Sequence, residues 1–201
     1  MSEKILDLGN HRCRAIASRG SGVPIVLLHG YSYTSAVWQR ISLMDLLKEK
    51  HVPFLGLDMP YGGHSDCHPH SRNVETNVSV AREAISAFFG SASPMLVGAS
   101  LGAHMALQYA ARFPVKCLLL VGAVRVFESR LTETYNNFRF PVRLIIGSED
   151  RIASEEDLRT LAGKLPYAKL TVYEGEGHSA YIGSSERFKR DLLELYALAE
   201  Q

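Results

Sequence analysis

The chain has 201 residues, of which 46% are hydrophobic and 21% charged, and its formal net charge at pH 7 is +1. This length and composition fit one globular domain with a substantial core, which excludes a disordered chain. Because 22 basic residues balance 21 acidic ones, the charge favours neither nucleic acid nor an anionic membrane surface as a partner. We therefore expect a single domain over residues 1–201 and no nucleic-acid partner.

The start of the chain, MSEKILDLGNHRCR, lacks the apolar segment of a secretory signal. No stretch approaches the roughly 18 apolar residues of a membrane-spanning helix. Cys13, Cys67 and Cys117 lie far apart and form no CxxC pair. We therefore expect reduced cysteines in a cytoplasmic protein without a membrane span.

Short apolar runs alternate with helix-length segments along the chain. Lys4–Leu8 and Arg12–Ala17 flank the turn pair Gly9-Asn10 and predict an antiparallel hairpin at the edge of a sheet. The later predicted strands are Pro24–His29, Val52–Asp58, Pro94–Ala99, Val115–Gly122, Val142–Gly147 and Lys169–Tyr173. The predicted helices are Ser35–Lys50, Val74–Phe89, Leu101–Phe113, Ser154–Leu165 and Ser184–Ala199.

Most of these strands are apolar without alternation, which is typical of strands buried on both faces of a parallel sheet. Strands that alternate with helices favour the same arrangement. The sequence thus predicts an α/β fold with a mostly parallel central sheet, helices on both of its faces and an N-terminal antiparallel hairpin.

The strongest local motif is Gly98-Ala99-Ser100-Leu101-Gly102, which lies between a predicted strand and a predicted helix. A serine on a sharp strand-to-helix turn takes strained backbone angles, and glycines two positions away remove side chains that would collide with their neighbours. The turn presents the hydroxyl above the carboxyl end of the strand, beside the free amides of the helix. This context predicts that Ser100 is a nucleophile rather than a capping serine.

A serine hydroxyl needs a base, and the base needs an acid that fixes its tautomer. His178, in GEGHSAY, follows the last predicted strand and precedes the last helix, so it is the predicted base. Asp150 directly follows the strand that ends in IIG and is the predicted acid, with Glu149 and Glu128 as weaker alternatives. Ser, Asp and His occur in this order at successive strand ends, where ligands bind in parallel sheets.

The remaining histidines support other interpretations. His64, His68 and His70 share a loop, but no Asp, Glu or Cys stands at a metal-ligand spacing beside them. We therefore predict polar loop residues and no metal site. His104 lies four residues after Ser100 on the same predicted helix, which favours a packing role.

Acyl transfer also requires donors for the negative charge that develops on the carbonyl oxygen. The backbone amide of Leu101 is one donor by its position after Ser100. The segment His29-Gly30-Tyr31 follows the first central strand, and the amide of Tyr31 is the predicted second donor.

The segments LLHGY, DMPYGGHSD, VGASLGAHMAL, IIGSED and GEGH together resemble the α/β-hydrolase superfamily, in its small esterase and proline-iminopeptidase-like branch. The resemblance covers nearly the whole chain. This chain differs from the family at Tyr61, where other members usually have a glycine. Members often insert a cap domain after the strand that matches Val115–Gly122, whereas here only about twenty residues precede the next strand. The resemblance therefore implies a minimal or absent cap and an open site, for which Tyr31, Phe127 and Tyr181 are candidate walls.

These residues predict a serine hydrolase that cleaves a carboxylic ester or thioester of a small-molecule acyl substrate through an acyl-enzyme on Ser100. No metal or organic cofactor is expected, and no oligomeric state is predicted. The same triad also serves amide, lactone and carbon–carbon bonds, so these remain alternatives. Another alternative is a non-catalytic protein that uses the pocket to bind a ligand or partner. Dehalogenase and epoxide hydrolase chemistry is disfavoured, because those relatives place Asp where this chain has Ser100.

Overall fold

The computed structural model describes residues 1–128 and 131–201. Within them, the strands are β1 (Ser2–Leu8), β2 (His11–Ser18), β3 (Ile25–Leu28), β4 (Phe54–Leu57), β5 (Cys67–His68), β6 (Met95–Ala99), β7 (Cys117–Val121), β8 (Val142–Gly147) and β9 (Ala168–Tyr173). The helices are α1 (Val37–Arg40), α2 (Leu43–Glu49), α3 (Val74–Phe89), α4 (Leu101–Ala110), α5 (Leu131–Thr134), α6 (Glu155–Lys164), α7 (Ala180–Gly183) and α8 (Ser185–Ala199), with a 3₁₀ turn at Tyr135–Asn137.

The strands form one mixed sheet in the order β1-β2-β4-β3-β6-β7-β8-β9, and the short β5 pairs with β2. All pairings from β4 through β3 and β6 to β9 are parallel. The β1–β2 hairpin joins the edge of β4 in an antiparallel arrangement. The predicted α/β fold, including its N-terminal hairpin, is therefore confirmed.

The apolar strands have no polar face because the sheet is covered on both sides. Leu96 and Leu118 belong to one buried cluster, which includes residues of α3, α4 and α6. Their neighbours Val97 and Leu119 belong to a second cluster, with residues of α1, α2 and α8. Since consecutive side chains of a strand point to opposite faces, each face needs its own apolar set.

The predicted helix Ser35–Lys50 is divided into α1 and α2 in the structure. Ser42 lies between them at φ 57° and ψ 20°, in the left-handed region. Its amide donates to the carbonyl of Gln39 over 2.7 Å, which closes a turn in place of a continuing helix. Both short helices still bury their apolar residues, among them Trp38 and Met44.

The expectation of reduced cysteines is wrong for Cys13 and Cys67, which the structure joins in a disulfide. The two residues are register partners across β2 and β5. The sequence did not indicate β5, and a strand pairing between residues 54 positions apart is a tertiary contact. Cys117 is free and buried in β7, and burial raises the pKa of its thiol to about 12.

The segment between β7 and β8 is as short as the sequence predicts. Its described residues hold the single turn α5 and the 3₁₀ turn, and no inserted domain lies among them. None of the helices in the described ranges combines the length and the hydropathy that crossing a membrane requires.

Candidate active site

Ser100 occupies the turn between β6 and α4 with φ 54° and ψ −115°. L-residues other than glycine rarely adopt a positive φ, and such outliers cluster at functional sites. The backbone amide of Ser100 donates to the carbonyl of Val121 over 2.8 Å, which ties the turn to the end of β7. Together, these features place the hydroxyl at the carboxyl end of the parallel sheet, as the sequence predicts.

The two motif glycines allow this turn because backbone atoms approach them closely. A Cβ at Gly98 would lie 2.5 Å from the carbonyl oxygen of Gly102. A Cβ at Gly102 would lie 2.3 Å from the carbonyl oxygen of Leu28 and 2.6 Å from that of His29. Helix α4 therefore begins directly against the end of β3, which no larger residue would allow.

We expect Gly102→Ala to lower the free energy of unfolding by more than about 2 kcal/mol, because the methyl group would collide with backbone that has no room to move. Gly163→Ala is the matched control. Gly163 also lies in a helix, α6, but nothing comes within 4 Å of the added Cβ. This variant should gain about 0.5–1 kcal/mol. Urea denaturation of both variants tests the contrast, and equal effects would contradict the close approach.

The structure brings together the three residues predicted as the triad. Nε2 of His178 lies 2.8 Å from Oγ of Ser100. Nδ1 of the same ring lies 3.0 and 2.9 Å from the two carboxylate oxygens of Asp150. The carboxylate is fully buried, whereas the imidazole is 19% exposed. This arrangement can remove the hydroxyl proton of Ser100 and stabilise the imidazolium that forms.

The backbone fixes Asp150 and leaves room for His178. Oδ1 of Asp150 accepts hydrogen bonds from the amides of Ile152 and Ala153 over 2.8 and 2.9 Å, so the carboxylate is fixed by its own loop. His178 packs over Gly122, where a Cβ would lie 3.0 Å from Nδ1. Gly122 has φ +52°, and its lack of a side chain leaves room for the imidazole.

The alternative acids Glu149 and Glu128 do not contact His178. Glu149 is exposed, and the carboxylate of Glu128 binds the guanidinium of Arg125. Both candidates follow strands in the sequence, and only the tertiary structure shows which carboxylate faces the imidazole.

The two predicted oxyanion donors lie beside Ser100. Leu101 is the first residue of α4, so its amide has no acceptor within the helix. The amide of Tyr31 has no hydrogen-bond acceptor among residues 1–128 and 131–201. Both residues line a cavity that also contains Ser100. Amides without acceptors in the described parts of the chain, beside a serine hydroxyl, are the donors that a tetrahedral intermediate would require.

His29 precedes Gly30 and Tyr31, which we call the predicted oxyanion loop. It is fully buried and has one fixed tautomer. Its Nε2 accepts from the amide of Met59 over 3.0 Å, so its Nδ1 carries the proton and donates to the carbonyl of Gly30 over 2.8 Å. Burial lowers the pKa of this imidazole. The ring therefore stays neutral and fixes the loop at both nitrogens.

Tyr61, which departs from the family pattern, also supports this loop. It is buried, and its hydroxyl donates to the carbonyl of His29 over 2.5 Å. Burial raises the pKa of this phenol well above its usual value, so it remains a donor. The sequence showed the departure at this position, but the contact with His29 depends on tertiary structure.

We expect Tyr61→Phe to lower the free energy of unfolding by about 1–2 kcal/mol, because the buried carbonyl of His29 loses its donor while the ring is kept. Tyr167→Phe is the matched control, since Tyr167 is 59% exposed, and it should change stability by less than about 0.5 kcal/mol. Chemical denaturation compares the two. If Tyr61→Phe were as neutral as the control, the hydroxyl would not support the loop.

Two cavities meet at Ser100. The smaller, about 240 Å³, is lined by residues that include Tyr33, His178 and Tyr181. The larger, about 550 Å³, is lined by Tyr31, Tyr61, Arg72, Ser100, Leu101, Met105, Val124, Arg125 and Ile152. Tyr31 and Ile152 line both.

Of the three candidate wall residues, the structure places two at these cavities. Tyr31 lines both, and Tyr181 lines the smaller one. Phe127 lines neither and packs half-buried against the core. The sequence did not indicate Arg72, Arg125 and Ile152 as wall residues, because no motif marks them and each comes from a different loop.

His104 is buried in α4, as the sequence predicts. Its Nε2 lies 3.4 Å from a carboxylate oxygen of Glu128. Burial, together with the positive charge of Arg125, lowers the pKa of this imidazole from 6.5 to about 4. His64, His68 and His70 are exposed, and no cluster of His, Cys, Asp or Glu in the described parts of the chain could hold a metal ion.

The lowered pKa of His104 predicts a pH-dependent stability. Between pH 6.5 and about 4 the unfolded chain binds a proton at this residue and the native protein does not. The contribution of neutral His104 to the free energy of unfolding is thus complete above pH 6.5. It decreases as the pH falls towards 4, by up to about 3 kcal/mol. His104→Asn should flatten the profile, whereas His51→Asn, at an exposed histidine, should not. Denaturation at pH 7 and pH 4.5 measures both slopes, and parallel slopes for wild type and His104→Asn would contradict the assignment.

The chain is similar to a known family over more than half of its length. The family model described as "alpha/beta hydrolase fold" matches residues 23–132. Protein ABHD14A of Danio rerio is 26% identical over 171 residues, which cover 85% of this chain and 63% of that protein. The human protein named putative protein-lysine deacylase ABHD14B is 20% identical over 180 residues, with 85% and 81% covered.

A solved structure has the same fold. The crystal structure of a predicted CIB-like hydrolase from Thermoplasma acidophilum superposes with a TM-score of 0.85 at 23% sequence identity, and the match covers 100% of this chain and 98% of that one. The chain spans about 63% of the length of the ABHD14A proteins of zebrafish and human.

Proposed function

We propose a function from the premise that this chain belongs to the α/β-hydrolase fold family, whose model matches more than half of it. The chain is a serine hydrolase that cleaves the carboxylic ester or thioester of a small-molecule acyl substrate. Ser100 is its nucleophile, His178 its general base and acid, and Asp150 the residue that orients His178. The observation that carries this proposal is the unbroken line of hydrogen bonds from Asp150 through His178 to a strained Ser100.

The reaction begins when Nε2 of His178 takes the hydroxyl proton of Ser100, whose oxygen attacks the substrate carbonyl. The resulting oxyanion accepts hydrogen bonds from the amides of Tyr31 and Leu101. His178 then gives its proton to the departing alcohol or thiol as the bond from the carbonyl carbon to its oxygen or sulfur breaks. An acyl group remains on Ser100.

Water completes the cycle by the same route. His178 takes a proton from a water molecule, which attacks the acyl carbonyl. It then returns a proton to Oγ of Ser100 as the bond from the acyl carbon to Oγ breaks and the carboxylic acid leaves. Asp150 accepts a hydrogen bond from Nδ1 of His178 throughout, because its buried carboxylate is fixed by two amides. No step needs a group beyond these side chains, two amides and water.

The bond cleaved has a second candidate. The human relative is named a putative protein-lysine deacylase, and such a protein cleaves an amide, which the same triad can attack. Esters and thioesters remain our first choice, because their leaving groups need less help from the general acid than an amine does. Lactones and carbon–carbon bonds have no specific observation in their favour.

A non-catalytic binding protein would not need this geometry. A ligand pocket requires neither a strained serine at φ 54° nor an imidazole 2.8 Å from its hydroxyl. Backbone strain of this kind costs of order 1–3 kcal/mol and persists where function needs it.

We expect a fluorophosphonate probe to label the wild-type chain on Ser100. Ser100→Ala should abolish the labelling and lower kcat on p-nitrophenyl acetate by about 10⁴-fold or more. Ser91→Ala, at an exposed serine, should keep both. Mass spectrometry of the labelled peptide identifies the modified residue.

Wild-type activity in the Ser100→Ala variant would show that the nucleophile lies elsewhere. Absence of labelling and turnover in the wild type, on esters and acyl-lysine peptides alike, would favour the binding protein.

A further inference from the structure

The larger cavity at Ser100 has a polarity that ester hydrolysis alone does not require. Most of its walls are apolar or aromatic, including Met105, Val124 and Ile152. Among the residues that the structure describes, Arg72 and Arg125 are its charged lining residues, and none of the lining residues is acidic. The cavity thus combines an apolar interior with positive charge.

Arg72 and Arg125 differ in their partners. The guanidinium of Arg125 binds the carboxylate of Glu128. Arg72 is exposed and has no hydrogen-bond or ion-pair partner in the parts of the chain that the structure describes. Cationic side chains that line a cavity without a counter-charge are available to a ligand, and a guanidinium binds a carboxylate through two parallel hydrogen bonds.

The two cavities are not equivalent for the reaction. His178 lines the smaller one, whereas Leu101, an oxyanion donor in our proposal, lines the larger. Since His178 must protonate the leaving group, that group departs on the side of the smaller, about 240 Å³ cavity. The acyl chain then extends into the larger cavity of about 550 Å³, towards Arg72.

We propose that this site takes esters of a small alcohol whose acyl chain ends in an anionic group bound by Arg72. The inference rests on the proposed function and adds the substrate class to it. The apolar walls contact the methylene chain, and the free guanidinium pairs with the terminal carboxylate or phosphate. Monoesters of dicarboxylic acids are the simplest compounds with this chemistry.

Two esters of matched length test the proposal. Monomethyl adipate and methyl hexanoate carry the same four methylene groups and differ in a terminal carboxylate or methyl group. The quantity measured is the ratio of their kcat/KM values, from release of methanol. The wild type should prefer the adipate ester, and Arg72→Met should lower the ratio about tenfold, which is typical for loss of a hydrogen bond to a charged group.

Control variants separate charge from other effects. Arg72→Lys should keep part of the ratio because it keeps the charge, although not the paired hydrogen bonds. Arg19→Met removes an exposed arginine that lines neither cavity, and should leave the ratio unchanged. Methyl 5-phosphonooxypentanoate carries a phosphate in place of the carboxylate of monomethyl adipate. The ester with the higher kcat/KM shows which of the two anions Arg72 binds better.

The outcomes separate the two proposals. A ratio that is equal in the wild type and Arg72→Met, with both esters hydrolysed, overturns the anionic subsite and leaves the serine hydrolase intact. If neither ester is hydrolysed while a fluorophosphonate still labels Ser100, the proposed substrate class is wrong. If Ser100 is not labelled at all, the proposed function itself has failed.

Discussion

The close approach of α4 to the carboxyl end of β3 is the constraint on which the site depends. Gly102 lies so near the carbonyl oxygens of Leu28 and His29 that a Cβ has no room. This contact forces the chain to turn sharply at Ser100, whose φ is positive. On the other side, the amide of Ser100 donates to the carbonyl of Val121. Three adjacent parallel strands and one helix therefore determine the position of a single hydroxyl. Backbone strain persists there because the surrounding packing leaves no alternative.

The same contact positions the predicted oxyanion loop. Since β3 ends against the first turn of α4, the residues after Leu28 pass directly beside Ser100. A neutral, buried His29 holds this loop through both ring nitrogens, and the hydroxyl of Tyr61 binds its carbonyl. The charges that develop during acyl transfer would thus meet amides that are already oriented, and preorganised donors of this kind supply much of the stabilisation of a transition state.

The short connection between β7 and β8 determines what surrounds this centre. Without an inserted domain among its described residues, the walls come from loop residues such as Tyr31, Ile152 and Arg72. The two cavities differ in the residues that line them, because His178 lines the smaller and Leu101 the larger. In a site with so little cover, a few loop side chains would determine which acyl group fits. Our proposal assigns much of that selectivity to Arg72, which has no partner in the described parts of the chain.

The sequence by itself determined the order of the main strands and helices, the parallel sheet, and Ser100, His178 and Asp150 as the residues to meet at its carboxyl edge. It could do so because burial on both faces requires continuous apolar runs, and a strained turn requires glycines at fixed spacing. Only the tertiary structure decided the break at Ser42, the pairing of Cys13 with Cys67, the position of Phe127 away from the cavities and the presence of Arg72 in one. These features arise where segments distant in the chain pack together, and local sequence patterns do not predict such contacts.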